Sequence, residues 1–290
     1  MPDEEGAYAR SNGLQLWYRD EGDSSGEPLL LIMGLNSQLI LWPQQLVDAL
    51  GGNGYRVIRF DNRDCGLSDK IGGTVPPPSA LQPAYLLKDM ADDTAGLLDV
   101  LGIEQAHVVG ASMGGMIAQL LAINHPAKVR SLCSIMSTTG APFVGYADPK
   151  AIAALLEPTP EDPEEAVAHI AGIYAIIGSQ TLAEEEAENR LAFARASYQR
   201  AFYPAGARRQ LAAINAAANR TAQLRNLDVR TAVIHGAEDS LIHISGGRAT
   251  ADAIPDATFL EMPTMGHDLP QSLLERIAEE IVTNARAASK

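Results

Sequence analysis

The sequence has little cysteine and no long apolar run. Its 290 residues include two cysteines, Cys65 and Cys133, which stand far apart and give no sign of a disulfide framework. Free thiols suit a reducing compartment, and the acidic first residues lack the apolar segment of a secretory signal. No apolar stretch reaches the length needed to span a bilayer. These absences lead us to expect a cytoplasmic protein.

Positive charge is also scarce. The chain carries 22 Lys and Arg residues against 36 Asp and Glu residues, which gives a formal net charge of −14. Nucleic-acid binding requires a basic surface, and adhesion to anionic lipid requires basic clusters. We therefore expect neither a nucleic acid nor a membrane as partner, while homo-oligomerisation stays open.

Short apolar runs alternate with helical patterns along most of the chain. Runs that are apolar throughout are typical of strands covered on both faces, and Asn12-Gly13 between two alternating runs predicts a hairpin. The apolar runs are PLLLIMG, YRVIRF, AHVVG, VRSLCSIMS, TAVIHG and ATFLEM, and the helical patterns cover 43–51, 84–101, 114–124, 246–253 and 270–287. This alternation predicts an α/β fold whose mostly parallel sheet has helices on both faces.

Residues 141–225, called the insertion below, interrupt this alternation. They show no strand pattern, are rich in Ala, Glu and Arg, and are broken by prolines near both ends. We predict a core domain formed by 1–140 and 226–290, with the insertion as a helical cap. Such a cap would lie over the strand ends where open α/β sheets bind ligands. A second helical layer without a catalytic role is the alternative.

The segment HVVGASMGG carries the strongest chemical signal. It places Gly110-Ala111-Ser112-Met113-Gly114 directly after a predicted strand and directly before a predicted helix. A nucleophile raised above a sheet needs a sharp, strained turn, and small residues two positions before and after it relieve the crowding. Ser112 is therefore the predicted nucleophile, although a tight structural turn would give the same pattern.

A serine hydroxyl needs a base to accept its proton. His267, in the loop PTMGHDLP before the last predicted helix, is the candidate base. Asp239, in HGAEDSLI after a predicted strand, is the candidate acid that would orient it. Glu238 is the competing acid, and either carboxylate could instead be a helix cap.

Acyl transfer also requires donors for the oxyanion and a pocket for the substrate. The backbone N–H groups of Leu35 and Met113 are the predicted oxyanion donors, with Gly34 allowing the backbone to turn inward. Gly34, Met136 and Tyr174 are the predicted substrate contacts.

A metal site is the competing interpretation of the segment that holds Asp239. His235 and His243 lie on either side of the acidic pair there, but their spacing matches no helical two-histidine motif. We expect neither a metal nor a cofactor.

The whole chain resembles the α/β-hydrolase-fold esterases. The likeness rests on Met33-Gly34, the segment RFDNRDCGLSD at 59–69, the GASMGG turn, HGAED and MGH, in the chain order Ser, Asp, His that is usual for this superfamily. Asp64 stands where Gly is usual. Met33 stands before Gly34 where His is common, and in this respect the chain resembles the aclacinomycin methylesterase-like carboxylesterases. The insertion resembles them much less.

The resemblance implies a serine carboxylesterase that acts on small to medium, apolar esters, methyl esters among them. A serine at this turn argues against the haloalkane dehalogenases and epoxide hydrolases, which use aspartate. Four alternatives remain: a lactonase, a C–C bond hydrolase with the same triad, a cofactor-free perhydrolase, and a non-catalytic ligand receptor on the same fold.

Overall fold

The computed structural model describes residues 5–73 and 83–289. The strands are β1 (Ala7–Ser11), β2 (Leu14–Gly22), β3 (Glu27–Ile32), β4 (Tyr55–Phe60), β5 (Ala106–Ala111), β6 (Val129–Ile135), β7 (Arg230–Gly236) and β8 (Thr258–Met262). The helices are α1 (Gln44–Gly52), α2 (Leu87–Val100), α3 (Met113–Asn124), α4 (Pro149–Leu156), α5 (Pro163–Ile177), α6 (Ala183–Arg200), α7 (Pro204–Asn215), α8 (Thr221–Leu224), α9 (Ser245–Ala253) and α10 (Leu274–Ala288). Short 3₁₀ turns cover Leu39–Leu41, Pro126–Lys128 and Gln271–Leu273.

All eight strands pair in one sheet in the order β1-β2-β4-β3-β5-β6-β7-β8. β3 to β8 run parallel, whereas β2 is antiparallel to both of its neighbours. The predicted α/β-hydrolase type of architecture is confirmed. The strand order reverses between β3 and β5, and ligands of open α/β sheets bind where such a reversal brings two carboxyl ends together. Since Ile32 pairs with Gly110, the residues after β3 and β5 share that edge.

Helices cover both faces of the sheet. α1 and α10 pack on one face, and α2, α3 and α9 pack on the other. β3 illustrates why its sequence is apolar throughout: Leu29 and Leu31 enter one cluster, while Leu30 and Ile32 enter the other. All four side chains are fully buried, and burial of each contributes about 1.5–3 kcal/mol.

The predicted hairpin is present between β1 and β2. Asn12 and Gly13 occupy its turn with φ values of 49° and 83°, and Ser11 pairs with Leu14 across it. Asn and Gly tolerate this left-handed backbone, which explains why the dipeptide marks the turn. Two helices begin later than their patterns indicated, α2 at Leu87 and α10 at Leu274.

The insertion contains five helices, α4 to α8, and no strand among its residues. Three of its prolines begin helices: Pro149, Pro163 and Pro204 each stand in a first turn, where the missing N–H is not needed. Pro163 and Pro204, predicted as breaks, are therefore helix starts. The division into a core domain and a cap stays a prediction. In the described residues, no helix has the length and apolar character to cross a membrane.

Two buried ion pairs bind the insertion to the rest of the chain. Arg200 of α6 lies 2.7 Å from Asp61, and Arg209 of α7 lies 2.8 Å from Asp64. Asp64 has a left-handed backbone with φ of 66°, a conformation that favours glycine. Its carboxylate also accepts a hydrogen bond from the Tyr85 hydroxyl at 2.8 Å. The insertion is thus fixed to the segment after β4 by charge pairs shielded from water.

Replacing Arg209 with Met should lower the free energy of unfolding by about 3–5 kcal/mol, because Asp64 would remain buried without its cation. The exposed pair of Arg195 and Glu164 supplies the matched control, and Arg195→Met should leave the free energy of unfolding almost unchanged, because water screens an exposed ion pair. The double variant Asp64→Gly/Arg209→Met should recover most of the loss. Urea unfolding measures all three, and a loss below 1 kcal/mol for Arg209→Met would contradict the assigned importance of the pair.

Candidate active site

Ser112 occupies a strained turn between β5 and α3. Its φ of 56° and ψ of −122° are unfavourable for a residue with a side chain and cost about 1–3 kcal/mol. Backbone contacts hold it there: its N–H donates to the Ile135 carbonyl at 2.9 Å, and its carbonyl accepts from Gly115 N–H at 2.9 Å and the Ser137 hydroxyl at 2.8 Å. Strain maintained in this way is typical of a functional residue.

The glycines around Ser112 are required by space. A Cβ on Gly110 would lie 2.2 Å from the Gly114 carbonyl oxygen, and one on Gly114 would lie 2.0 Å from the Ile32 carbonyl oxygen. Both distances are far below van der Waals contact. A Cβ on Gly34 would lie 3.0 Å from the Ser112 Cβ. The loop after β3 therefore approaches the serine directly.

His267 connects Ser112 to Asp239. Its Nε2 lies 2.9 Å from the Ser112 Oγ, and its Nδ1 lies 2.8 Å from the Asp239 Oδ2. His267 is 6% exposed and Asp239 is 3% exposed. With its proton on Nδ1, the neutral imidazole donates to the carboxylate and accepts from the hydroxyl. The arrangement can therefore carry a proton away from the serine.

Both oxygens of the Asp239 carboxylate have hydrogen-bond donors nearby. Its Oδ1 accepts from the N–H groups of Leu241 at 3.0 Å and Ile242 at 2.8 Å, and its Oδ2 lies 3.3 Å from His235 Nε2 as well as near His267. Burial raises the pKa of Asp239, but the charge of His267 and the hydrogen bonds from both histidines outweigh it and lower that pKa to about 2. The carboxylate is therefore ionised at neutral pH.

Glu238, the competing acid, faces away from His267. It accepts hydrogen bonds from the backbone N–H groups of Gln180 at 2.7 Å and Thr181 at 3.0 Å. The structure brings Asp239, and not Glu238, to the imidazole.

The two predicted oxyanion donors lie on the adjoining ends of β3 and β5. Met113 is the first residue of α3, so its N–H is among those that the helix leaves unpaired. Leu35 follows Gly34 in the other loop, which is held by a 2.8 Å hydrogen bond from Asn36 N–H to the Gln210 side chain of α7. Their role as donors stays a prediction.

The two remaining candidates for substrate contact lie in different surroundings. Met136 follows β6 with a φ of 41°, and its buried side chain joins the apolar cluster under α1 and α10. Tyr174 of α5 reaches the loop after β3, where its hydroxyl lies 3.3 Å from the Ser37 hydroxyl. Burial raises the pKa of Tyr174 to about 12, so the phenol is neutral. Substrate contact by either residue stays a prediction.

Three of the other histidines have structural partners. His107 contacts Ser131 at 2.8 Å, His125 contacts Asp92 at 2.7 Å, and His235 contacts the Ile242 carbonyl at 2.7 Å. Over residues 5–73 and 83–289, no three His, Cys, Asp or Glu side chains are grouped so that they could hold a metal ion.

Sequence reasoning missed residues that support the site from a distance. Ser137 anchors the serine backbone, and Gln210 holds the loop of Leu35. Ser137 follows the strand next to β5, so its position after a strand was an available signal. Gln210 lies inside a helical pattern without a motif, and only the folded arrangement places it at the site.

Comparison with known proteins places this geometry in a family. Rhodomycin D methylesterase DauP of Streptomyces sp. (strain C5) is 26% identical over 296 residues, which cover 95% of this chain and 96% of that protein. The esterase RhEst1 from Rhodococcus sp. ECU1013 superposes with a TM-score of 0.76 at 24% identity, covering 98% of this chain and 100% of its own. The enol-lactonase from Burkholderia xenovorans LB400 gives a TM-score of 0.75 at 26% identity with the same coverage.

The family model for the alpha/beta hydrolase fold matches residues 27–270. This range extends from β3 through the loop of His267 and includes the insertion. It contains all three members of the hydrogen-bonded group Ser112, His267 and Asp239. The chain therefore belongs to the alpha/beta hydrolase fold family.

Proposed function

We propose that the protein is a carboxylic-ester hydrolase that uses Ser112 as nucleophile, His267 as base and Asp239 as the orienting acid. The observation that carries the proposal is the continuous hydrogen-bonded chain from the Ser112 hydroxyl through His267 to Asp239. Similarity over almost the full chain to a protein named rhodomycin D methylesterase supports ester hydrolysis as the activity.

The reaction follows from the positions of these groups. As Ser112 Oγ attacks the ester carbonyl carbon, its proton passes to His267 Nε2, and the ionised Asp239 stabilises the resulting imidazolium. The N–H groups of Leu35 and Met113 stabilise the oxyanion. His267 then protonates the departing alkoxide, leaving an acyl-serine. Water attacks this acyl group while giving a proton to His267, and His267 passes that proton to Ser112 Oγ as the acid product leaves.

The proposed substrates are small to medium, apolar carboxylic esters, including methyl esters. Three apolar or aromatic side chains, Leu35, Met113 and Tyr174, belong to segments around the serine. An apolar surrounding favours apolar acyl or alcohol groups, because their transfer from water is favourable. The related methylesterase is consistent with a small leaving alcohol.

Lactone hydrolysis is the second candidate function. The observation that favours it is the likeness to the Burkholderia xenovorans enol-lactonase, at 26% identity and a TM-score of 0.75. A lactone is a cyclic ester, so the same nucleophile, base and oxyanion donors would open it. The two candidates differ in the leaving group, which stays attached to the acyl chain when a lactone opens.

Ser112→Ala should abolish hydrolysis of p-nitrophenyl acetate, butyrate and octanoate, with a fall of at least about 10³-fold in kcat, because no other group can form the acyl-enzyme. Ser25→Ala, in an exposed loop before β3, is the matched control and should retain full activity. Release of p-nitrophenol measures the rate, and circular dichroism checks the fold. Turnover by well-folded Ser112→Ala protein would refute the assignment of the nucleophile.

Asp239→Asn should lower kcat by about 10³–10⁴-fold with little change in KM, because the amide would favour the wrong imidazole tautomer. In the wild type, Asp239 stays charged as the pH falls to about 2. Protonation of Asp239 should therefore add nothing to the acid limb of log(kcat/KM) above pH 3.8. The lowered pKa of Asp239 also stabilises the folded protein. This contribution is present above pH 3.8 and is lost as the pH falls toward about 2. A slope of two in that limb above pH 3.8, which requires a second proton, would contradict the charged state of Asp239.

A substrate panel should separate the two candidate functions. We expect higher kcat/KM for open-chain apolar esters than for enol-lactones of equal carbon number, measured by proton release at constant pH. The acyl chain-length profile would report the depth of the pocket. Faster opening of the lactones would favour the second candidate while leaving the roles of Ser112, His267 and Asp239 unchanged.

A further inference from the structure

One turn of the insertion contacts the loops that carry both the proposed base and the proposed acid. This turn, residues 177–181, leads from the last residue of α5 toward α6. The loop of His267 follows β8, and the loop of Asp239 follows β7, so the two loops come from neighbouring strands. The 177–181 turn is therefore shared by two segments that must be aligned for proton transfer.

The turn binds the loop of the base at three consecutive residues. His267 N–H donates to the Ile177 carbonyl at 2.8 Å. The Ser179 hydroxyl accepts from Gly266 N–H at 2.8 Å and donates to the Asp268 carboxylate at 2.6 Å. The residues before, at and after the base are thus all fixed to a segment that belongs to the insertion.

The same turn binds the loop of the acid through Glu238. The Glu238 carboxylate accepts from the N–H groups of Gln180 and Thr181 and from the Thr181 hydroxyl. Partial burial raises the pKa of Glu238, but these hydrogen bonds outweigh it and hold that pKa below the usual value. Glu238 directly precedes Asp239, so the hydrogen bonds also hold the backbone that carries the acid.

Close packing and buried hydrogen bonds surround this contact. A Cβ on Gly178 would lie 2.3 Å from the Asp268 Oδ2, and one on Gly266 would lie 2.3 Å from the Gly178 carbonyl carbon. Arg190 of α6 donates to Asp268 at 3.0 Å and to the Ser179 carbonyl at 2.9 Å. Ser179 is 0% exposed, so water does not compete for these hydrogen bonds.

We propose that the 177–181 turn sets the alignment of His267 with Asp239, and that Ser179, Glu238 and Asp268 are positioning residues for proton transfer. This inference rests on the proposed function of the triad. None of the three touches the reacting hydroxyl; they act through the backbone of the base and of the acid. Misplacement of a catalytic group by a fraction of an ångström slows the chemical step far more than it weakens substrate binding.

The test compares Ser179→Ala and Glu238→Ala with the wild type on a p-nitrophenyl ester. Each variant should lower kcat by about tenfold and leave KM unchanged, because alignment is lost while the binding surface is kept. Glu238→Gln should restore most of the rate, since its amide oxygen still accepts from the turn. The matched control is Glu164→Ala, which breaks an exposed ion pair between α5 and α6 and should change neither constant.

Two further readouts separate positioning from stability. The rate of Ser112 modification by a fluorophosphonate should fall in parallel with kcat, and the amount of labelled protein gives the concentration of active sites. The ring N–H resonance of His267 in ¹⁵N-labelled protein should shift in both Ala variants. A purely structural role would lower the urea midpoint and leave kcat per labelled site and this resonance unchanged, which would overturn the inference.

Failure of the proposed function would look different. Wild-type protein that neither hydrolyses the ester nor reacts with the fluorophosphonate would remove the assignment of Ser112 as nucleophile. The ring N–H resonance still reports the contact of His267 with Asp239 in that case. If Ser179→Ala does not fold, the half-exposed Glu238 carries the test, because its replacement leaves the buried contacts of the turn in place.

Discussion

The close approach of two strand ends is the constraint on which the site depends. β3 and β5 are neighbours at the point where the strand order reverses, and the segments that follow them nearly touch. Glycine at 34, 110 and 114 makes that approach sterically allowed. The unfavourable backbone conformation of Ser112 raises its side chain above the sheet. The loops of His267 and Asp239 then place the imidazole next to Ser112 and the carboxylate next to the imidazole.

The insertion contacts the loops of the candidate active site at several points. It reaches the loop after β3 through Gln210, the segment after β4 through Arg200 and Arg209, and the two triad loops through the 177–181 turn. These contacts are mostly buried. They join the helices of the insertion to four separate loops at the carboxyl edge of the sheet. This arrangement is expected if the insertion holds these loops in alignment.

Local patterns predicted most of the fold and the three residues that meet at the site. Strands such as YRVIRF and turns such as Asn12-Gly13 are encoded within a few residues, because burial on both faces and positive φ leave direct marks in the sequence. Contacts between distant segments leave no such mark. Ser179 and Gln210 lie in helical surroundings with ordinary composition, and their partners are fixed only when α5 and α7 dock on the sheet. Glu238 and Asp239 could be separated only by the direction of their side chains.

The left-handed Asp64 has a consequence for the exchange of parts between family members. At position 64, where the backbone is left-handed, this chain has a carboxylate that Arg209 of the insertion neutralises. A transplanted helical segment without an arginine at that place would enclose an uncompensated negative charge. Residues 64 and 209 must therefore be exchanged together when this part of the chain is recombined with that of another family member.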